Sequence, residues 1–253
     1  MEVYPVSPLK FIPTVLLVVL TVAGAASATC SNATLNGVYG YYHGRPDGIG
    51  GQRALVGQMI ADGHGNLTGS WTASLNGTIS AGTFTGTYSI AKNCTGSFTL
   101  SNEDESPADF SFTLDDSHKG FQILQTDSGT AQPGFGFEQG KVTCGLTRKK
   151  QIFATNLLGT LTSISAVDAI AGQVTLDGKG NIAGNETFSV FGTITTLPVS
   201  GTYTENADCT GTIQITPQGM AATNFNTVVV NGGKELLLIE TDNDTVVAGT
   251  AQQ

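Results

Sequence analysis

Basic residues are scarce in this chain. Its 253 residues include 11 lysines and arginines against 20 aspartates and glutamates, which gives a net charge of −9. An acidic chain repels the phosphates of nucleic acids and the headgroups of anionic membranes, so we expect no nucleic-acid partner. Long apolar runs are also missing after residue 28. We therefore expect the mature chain to have no transmembrane helix.

Motifs of catalysis and metal binding are missing as well. The three histidines, His43, His64 and His118, have no metal-binding spacing, and no Gly-x-Ser-x-Gly nucleophile elbow occurs. The segments "DGHGN" (Asp62–Asn66) and "DGKGN" (Asp177–Asn181) resemble the start of a calcium loop. They lack its later acidic ligands, and hairpin turns explain them better. We expect no catalytic residue, no metal and no cofactor.

The beginning of the chain has the features of a signal peptide. Lys10 precedes the apolar run "FIPTVLLVVLTVAGAA", and the small residues "ASA" that follow are typical of a cleavage site. We expect residues 1–28 to be removed. The mature protein would then be secreted, periplasmic or located at the cell surface.

The rest of the chain repeats itself at an interval of 115 residues. Cys94 and Cys209 are separated by this interval, and each begins the sequence "CTG". The first cysteines of the two copies, Cys30 and Cys144, are 114 residues apart, so the two copies differ by almost no net insertion. The interval also separates the two "DGxGN" segments and three further pairs: Tyr88 and Tyr203, Asp127 and Asp242, and Gly134 and Gly249. We predict two tandem domains, residues 29–140 and 141–253.

Each repeat has the pattern of about eight short β-strands. Segments such as "FSFTL" (Phe110–Leu114) alternate apolar and polar residues, which is typical of a strand with one buried face. Asp-Gly and related turn sequences connect these segments. A meander of this size hides its edges most simply by closing into a barrel. The predicted fold is all-β, with two tandem antiparallel meander β-barrels after the signal peptide, and two β-sandwiches are the alternative.

Four cysteines in an exported chain predict two disulfide bonds. A duplicated domain should carry its own bridge, and the separations of 64 and 65 residues agree with this expectation. We therefore predict the pairs Cys30–Cys94 and Cys144–Cys209. Each bridge would tie the start of its domain to the start of the fifth strand.

The two repeats differ most in their aromatic residues. The first carries twelve, from Tyr39 to Phe137, and the second carries five. An aromatic interior favours a ring-shaped or apolar ligand, and the alternative is that the rings pack the core. By strand parity, seven rings share the inner face of the first barrel and are candidate ligand contacts: Tyr39, Tyr41, Trp71, Phe84, Tyr88, Phe98 and Phe112.

The second repeat contains an apolar hairpin, "NTVVVNGGKELLLIETD". Its strands are apolar on both faces, whereas a barrel strand normally has one face inside and the other in solvent. We therefore predict that the hairpin contacts the first repeat or another copy of the chain. The residues expected in this contact are Val228, Val229, Val230, Leu236, Leu237, Leu238 and Ile239.

The order of short motifs in the first repeat resembles that of a known family. The motifs are "CSNATLNGVY" at Cys30–Tyr39, "DGHGN" at Asp62–Asn66, "GTYSIAKNCTG" at Gly86–Gly96 and "TD" at Thr126–Asp127. Together they look like those of uncharacterised exported tandem-repeat β-barrel proteins of soil bacteria. In addition, "NGVYGYY" is similar to the opening of lipocalin-like and avidin-like barrels. The resemblance implies a small exported barrel and brings no activity with it.

These observations favour an exported, non-enzymatic protein that binds a small apolar or aromatic ligand in its first barrel. Two alternatives stay open. One is a structural or adhesive protein of the cell envelope with solid barrels, and the other is a barrel enzyme of the cyclase or isomerase kind.

Overall fold

The computed structural model describes residues 29–45, 52–101, 107–140 and 144–253. The predicted signal peptide, residues 1–28, lies outside the described residues. Within the described part, sixteen β-strands and one short 3₁₀ helix make up the regular structure. No helix in this part is long and apolar enough to cross a membrane.

Eight strands form the first barrel, and they follow the 3₁₀ helix at Asn32–Thr34. Each strand pairs antiparallel with the next, and the eighth returns to pair with the first. The strands are β1 (Asn36–Arg45), β2 (Arg53–Asp62), β3 (Asn66–Leu75), β4 (Thr78–Ile90), β5 (Thr95–Ser101), β6 (Ala108–Leu114), β7 (Gly120–Gln125) and β8 (Pro133–Glu138).

The second barrel repeats this meander, and its last strand closes on its first. The two closed barrels confirm the predicted fold class, and the sandwich alternative is excluded. The strands are β9 (Gln151–Leu161), β10 (Ala166–Leu176), β11 (Asn181–Val190), β12 (Thr193–Glu205), β13 (Thr210–Pro217), β14 (Thr223–Val230), β15 (Glu235–Glu240) and β16 (Thr245–Gln252).

Local sequence chemistry explains the strands and their turns. In β6, Phe110 and Phe112 are buried while Ser111 between them is exposed, as the alternation predicts. In the first "DGxGN" turn, Asp62 Oδ1 accepts hydrogen bonds from the backbone N–H groups of His64 at 2.7 Å and Asn66 at 3.0 Å. Asp177 binds its own turn in the same way in the second barrel. The repeated motif is therefore a hairpin turn whose carboxylate is occupied by its own backbone.

One end of each barrel is closed by the chain that enters it. Disulfide bonds join Cys30 to Cys94 and Cys144 to Cys209, the pairing that the repeat predicts. A tyrosine hydroxyl also fixes each entering segment. Tyr88 Oη donates a hydrogen bond to the carbonyl oxygen of Leu35 at 2.7 Å, and Tyr203 Oη donates one to that of Leu146 at 2.9 Å. We call this the disulfide end, and the opposite end of each barrel the open end.

An apolar layer joins the two barrels side by side. Its fully buried members come from β2 of the first barrel and from β14, β15 and β16 of the second: Ala54, Val56, Val228, Val230, Leu237, Ile239, Val246 and Ala248. Tyr42, Phe135 and Phe137 cover its edge. We refer to this set as the interbarrel layer.

The apolar hairpin, β14 and β15, is divided between two environments. Four alternate residues lie in the interbarrel layer: Val228, Val230, Leu237 and Ile239. The other three face the interior of the second barrel: Val229, Leu236 and Leu238. Successive residues of a strand point to opposite faces, so the three apolar residues of β14 and the four of β15 cannot all share one contact. The predicted interface is therefore corrected to the four residues of the interbarrel layer, and the other three belong to the core of the second barrel.

Hydrogen bonds at both ends of the interbarrel layer set the relative direction of the barrels. Near the open ends, the backbone N–H of Asp244 donates to the carbonyl of Gly77 at 2.9 Å. Near the disulfide ends, the backbone N–H of Asn231 donates to the carbonyl of Glu138 at 2.9 Å. The open ends of the two barrels therefore lie side by side, and both barrels open toward the same side of the molecule.

Candidate functional site

Each barrel contains a cavity that reaches its open end. In the second barrel the cavity has a volume of about 250 Å³. It extends from Leu161 and Val190 at the open end to Leu176 and Ile182 near the disulfide end. Most of the residues along its wall are aliphatic. The second barrel therefore contains a deep apolar chamber.

The first barrel contains a cavity of about 340 Å³ that is confined to the half near the open end. Tyr41, Trp71 and Phe84 line it, together with the polar residues His43 and Arg53. Burial lowers the pKa of His43 to about 3, and the nearby positive charge of Arg53 adds to the effect. His43 is therefore a neutral side chain at physiological pH.

The seven candidate aromatic residues all belong to the interior of the first barrel. Six are buried and Trp71 is partly buried against them. Only Tyr41, Trp71 and Phe84 line the cavity. The other four pack the barrel below it, which is the alternative that the sequence left open: Tyr39, Tyr88, Phe98 and Phe112. Bulky rings thus fill the half of this barrel near the disulfide end.

Three acidic side chains lie in the wall of the second cavity. Asp168 on β10, Glu186 on β11 and Glu240 on β15 are only 7%, 2% and 5% exposed. Among the described residues, no lysine, arginine or histidine lines this cavity. Carboxyl groups are rarely buried without a partner, because the charged form loses its hydration.

The three acids have different surroundings. Glu186 is paired, since Thr155 Oγ1 donates a hydrogen bond to its Oε1 at 2.9 Å. Asp168 Oδ1 is buried and has no hydrogen-bond partner within the described part of the chain. Burial raises the pKa of both side chains. Burial also raises the pKa of Glu240 to about 8, and the negative charges of Asp242 and Asp168 add to this effect. Glu240 therefore retains its proton at neutral pH.

The acids occupy the positions at which the first barrel carries other cavity residues. Glu186 pairs across the sheet with Gly172, just as Trp71 pairs with Gly57, its equivalent one repeat earlier. Glu240 pairs with Phe225, just as Gln125 pairs with Phe110.

The third acid has an equivalent of opposite charge. Asp168 pairs with Val190, just as Arg53 pairs with Leu75. All three equivalents, Arg53, Trp71 and Gln125, line the first cavity. The two cavities therefore occupy equivalent positions in the two copies of the fold and differ in the chemistry of their side chains.

Side-chain size explains why the second cavity is the deeper one. Tyr41 of the first barrel is replaced by Thr155 at the equivalent sheet position, since their cross-strand partners are Gly57 and Gly172. Phe84 is replaced by Val199 in the same way. The smaller side chains leave space that the rings occupy in the first barrel.

The sequence patterns did not single out the three acids. Attention to aromatic content placed the ligand in the first barrel, whose cavity is confined to the half near the open end because rings pack the other half. A usable signal was nevertheless present. Asp168 is two residues before Ile170 and therefore points to the same face of β10. A charged residue thus stands among apolar residues on the inner face of this strand.

Comparisons with known proteins add little to this description. No protein-family model and no curated protein matches the chain. Among solved structures, the chain is similar to kievitone hydratase from Nectria haematococca, with 8% sequence identity and a TM-score of 0.31. That alignment covers 89% of this chain and 93% of the hydratase. The similarity is too low to support an inference about activity.

The fold and the cavities define a class of protein on their own. The chain forms two tandem β-barrels, each with a disulfide bond, and each barrel encloses a cavity of a size suited to a small molecule. The two disulfide bonds are typical of an oxidising environment, outside the cytosol.

Proposed function

We propose that this protein is exported and binds a small, mainly apolar molecule inside its second barrel, without converting it chemically. The observation that carries the proposal is the aliphatic cavity of about 250 Å³, whose wall contains a few convergent polar groups. Such a wall is typical of small-molecule sites. The two disulfide bonds and the signal-peptide features of residues 1–28 support export.

The size of the cavity sets the expected affinity. A ligand with an eight-carbon chain gains about 0.8 kcal/mol for each buried methylene group, or about 6 kcal/mol in total. This free energy corresponds to a dissociation constant of roughly tens of micromolar, before the entropic cost of association is subtracted. We therefore expect micromolar to submillimolar binding of simple apolar compounds.

A cavity-filling substitution tests which barrel binds. Ile170 lines the second cavity, and its equivalent one repeat earlier, Leu55, lines the first. The neutral dye N-phenyl-1-naphthylamine becomes fluorescent in apolar sites. We expect it to bind the wild-type protein and the Leu55→Trp variant. The Ile170→Trp variant, in which an indole occupies the chamber, should lose at least about 90% of the fluorescence gain, because the site no longer has room for the dye.

The two variants control each other, because each inserts the same side chain at the same place in one copy of the fold. Circular dichroism verifies that both variants are folded, and sedimentation velocity verifies that both have the oligomeric state of the wild type. Loss of dye binding in Leu55→Trp alone would move the site to the first barrel. No binding in the wild type would leave the structural or adhesive role as the better explanation.

The buried acids favour acid–base catalysis as a second candidate function. Glu240 retains a proton at neutral pH and lies near Asp168 in an apolar cavity, an arrangement suited to proton transfer in an isomerase or cyclase. Compounds that displace the dye can be incubated with the protein in heavy water and examined by mass spectrometry. Deuterium incorporation that Glu240→Gln slows by at least about 100-fold would establish catalysis and overturn a purely binding role.

A further inference from the structure

The second cavity carries two carboxyl groups at its open end, the hydrogen-bonded pair Thr155–Glu186 midway along its wall, and aliphatic residues at its deep end. Asp168 is the third residue of β10 counted from the open end, and Glu240 is the last residue of β15 at that same end. At the deep end the wall is formed by aliphatic residues such as Val174, Leu176 and Ile182. A molecule that fills this chamber therefore meets carboxyl groups at one end and hydrocarbon at the other.

One oxygen of the Asp168 carboxyl group lacks a hydrogen-bonding partner, although the backbone N–H of Ala169 donates to the group. It is 7% exposed, it lines the cavity, and its Oδ1 has no donor in the described part of the chain. An unsatisfied buried carboxyl oxygen destabilises the folded protein, and more so when it is charged. Glu186 is different, because Thr155 already donates to it. The missing donor at Asp168 can come from a ligand that enters through the open end.

The acidic character of this end is not required by the fold. At the equivalent positions of the first barrel, Arg53 replaces Asp168 and Gln125 replaces Glu240, and that barrel closes in the same way. The duplicated scaffold thus accepts a cation or a neutral amide there. The two acids are a property of the second cavity alone, which is expected of residues that select a ligand.

We infer that the second barrel recognises an apolar molecule that carries a protonated amine, with the ammonium group between Asp168 and Glu240 and the apolar body directed toward Leu176 and Ile182. The inference rests on the proposed binding function of this cavity. An ammonium group has three donors and no acceptor, so it can satisfy Asp168 Oδ1 and the Glu240 carboxyl group together. Its positive charge also compensates the charge of ionised Asp168, since no lysine, arginine or histidine among the described residues lines the cavity.

Three eight-carbon compounds that differ only in their head group test this inference. Octylamine, 1-octanol and octanoate are titrated against the bound dye near neutral pH. We expect octylamine to bind at least about tenfold more tightly than 1-octanol, because hydrogen bonds between charged partners are stronger than those of a neutral hydroxyl group. Octanoate should bind most weakly, since its carboxylate would meet the two acids.

Substitutions then assign the preference to the cavity. Asp168→Asn should reduce octylamine to the affinity of 1-octanol and leave 1-octanol within about threefold of its wild-type value. Glu240→Gln should weaken octylamine in the same direction, and it serves as the second variant if Asp168→Asn does not fold. Asp244→Asn is the matched control, because it removes the same charge from an exposed turn near the open end.

The outcomes separate the two levels of the proposal. If 1-octanol binds as tightly as octylamine, the amine inference is overturned while the apolar site stands. If Asp244→Asn weakens octylamine as much as Asp168→Asn does, the preference comes from the net negative charge, and the inference is again overturned. If neither the dye nor any of the three compounds binds, the proposed function itself fails.

Discussion

At the scale of single residues, the two copies of the fold diverge where side chains enter the cavities. Arg53 and Asp168 share one structural position and carry opposite charges. Both copies also bury a titratable group that is held in its uncharged form, His43 in the first barrel and Glu240 in the second. Burial penalises the charged form of each, so each should leave a signature in the dependence of stability on pH.

The pKa of Glu240 predicts a loss of stability as pH rises. Its pKa is about 8 in the folded protein and 4.5 in a solvated chain, so the folded state holds a proton that the unfolded state has released. Between pH 6.5 and 8 the free energy of unfolding should fall by up to about 2 kcal/mol, at about 1.4 kcal/mol per pH unit. Urea denaturation at the two pH values measures the change.

The choice of pH range and the variants isolate this effect. His43, with a pKa of about 3 against 6.5 when solvated, produces the opposite slope mainly below pH 6.5, and between pH 6.5 and 8 it offsets only about 0.4 kcal/mol. Glu240→Gln should remove most of the loss between pH 6.5 and 8, because the amide cannot ionise. Asp244→Asn should retain it. A Glu240→Gln variant that loses as much stability as the wild type would show that Glu240 does not titrate in this range.

At the scale of strands and hairpins, most of the fold could be predicted, because the information is local. Alternation identifies strands such as β6, and "DGxGN" identifies the turns after β2 and β10. The repeat interval then assigns both disulfide pairs. The apolar hairpin was harder, because a strand that is apolar on both faces shows that both are covered without showing by what. In the structure one face packs in the core of the second barrel, as Val229 does, and the other packs in the interbarrel layer, as Val230 does.

The cavity could not be predicted in the same way. Its existence depends on the summed volumes of side chains from eight strands, and no single strand reveals that sum. The exchange of Tyr41 for Thr155 and of Phe84 for Val199 becomes informative only after closure of the barrel places these residues across from one another. The three acids were visible in the strand pattern, but their common location was not.

A close approach between strands of different barrels gives a prediction about the interbarrel layer. A Cβ atom at Gly40 of β1 would overlap Val230 Cγ1 and would lie 2.8 Å from Val228 Cγ1. Gly40→Ala should therefore destabilise the protein by roughly 1–3 kcal/mol through overpacking. Val230→Ala removes the closest methyl group and leaves Val228 Cγ1 as the one remaining close contact of the new Cβ atom. In the double variant, the loss in urea denaturation should be smaller than the sum of the two single losses.

This double-mutant cycle has an internal control in the same strand. Val229 faces the interior of the second barrel, so Val229→Ala creates no space at Gly40. Its loss should add to that of Gly40→Ala. Additive losses for Val230→Ala as well would contradict the contact between β1 and β14.

At the scale of the whole molecule, three apolar cores lie side by side: the interior of each barrel and the interbarrel layer between them. Val230, Leu237, Ile239 and Val246 of this layer have no exposed surface at all. A contact so fully buried couples the stability of the two barrels, because opening either one exposes the layer to water. The parallel arrangement of the open ends leaves both cavities accessible while the layer remains covered.

This coupling predicts that the wild-type protein unfolds in one thermal transition and that a polar substitution in the layer divides it. Leu237→Ser removes a side chain at the centre of the layer and leaves both cavities intact. Trp71 is the only tryptophan and lies in the first barrel, so its fluorescence reports the unfolding of that barrel, while far-ultraviolet circular dichroism reports both. In the wild type the two signals should coincide, and in Leu237→Ser they should separate.

Ligand binding then identifies the barrel to which each transition belongs. A compound present at about 100 times its dissociation constant stabilises the folded site by about 2.7 kcal/mol. In Leu237→Ser, octylamine at such a concentration should raise the temperature of the transition seen only by circular dichroism and leave that of Trp71 unchanged. In the wild type it should raise both together, because the barrels unfold as one unit. A shift of the Trp71 transition alone in Leu237→Ser would place the ligand in the first barrel and contradict a site among Asp168, Glu186 and Glu240.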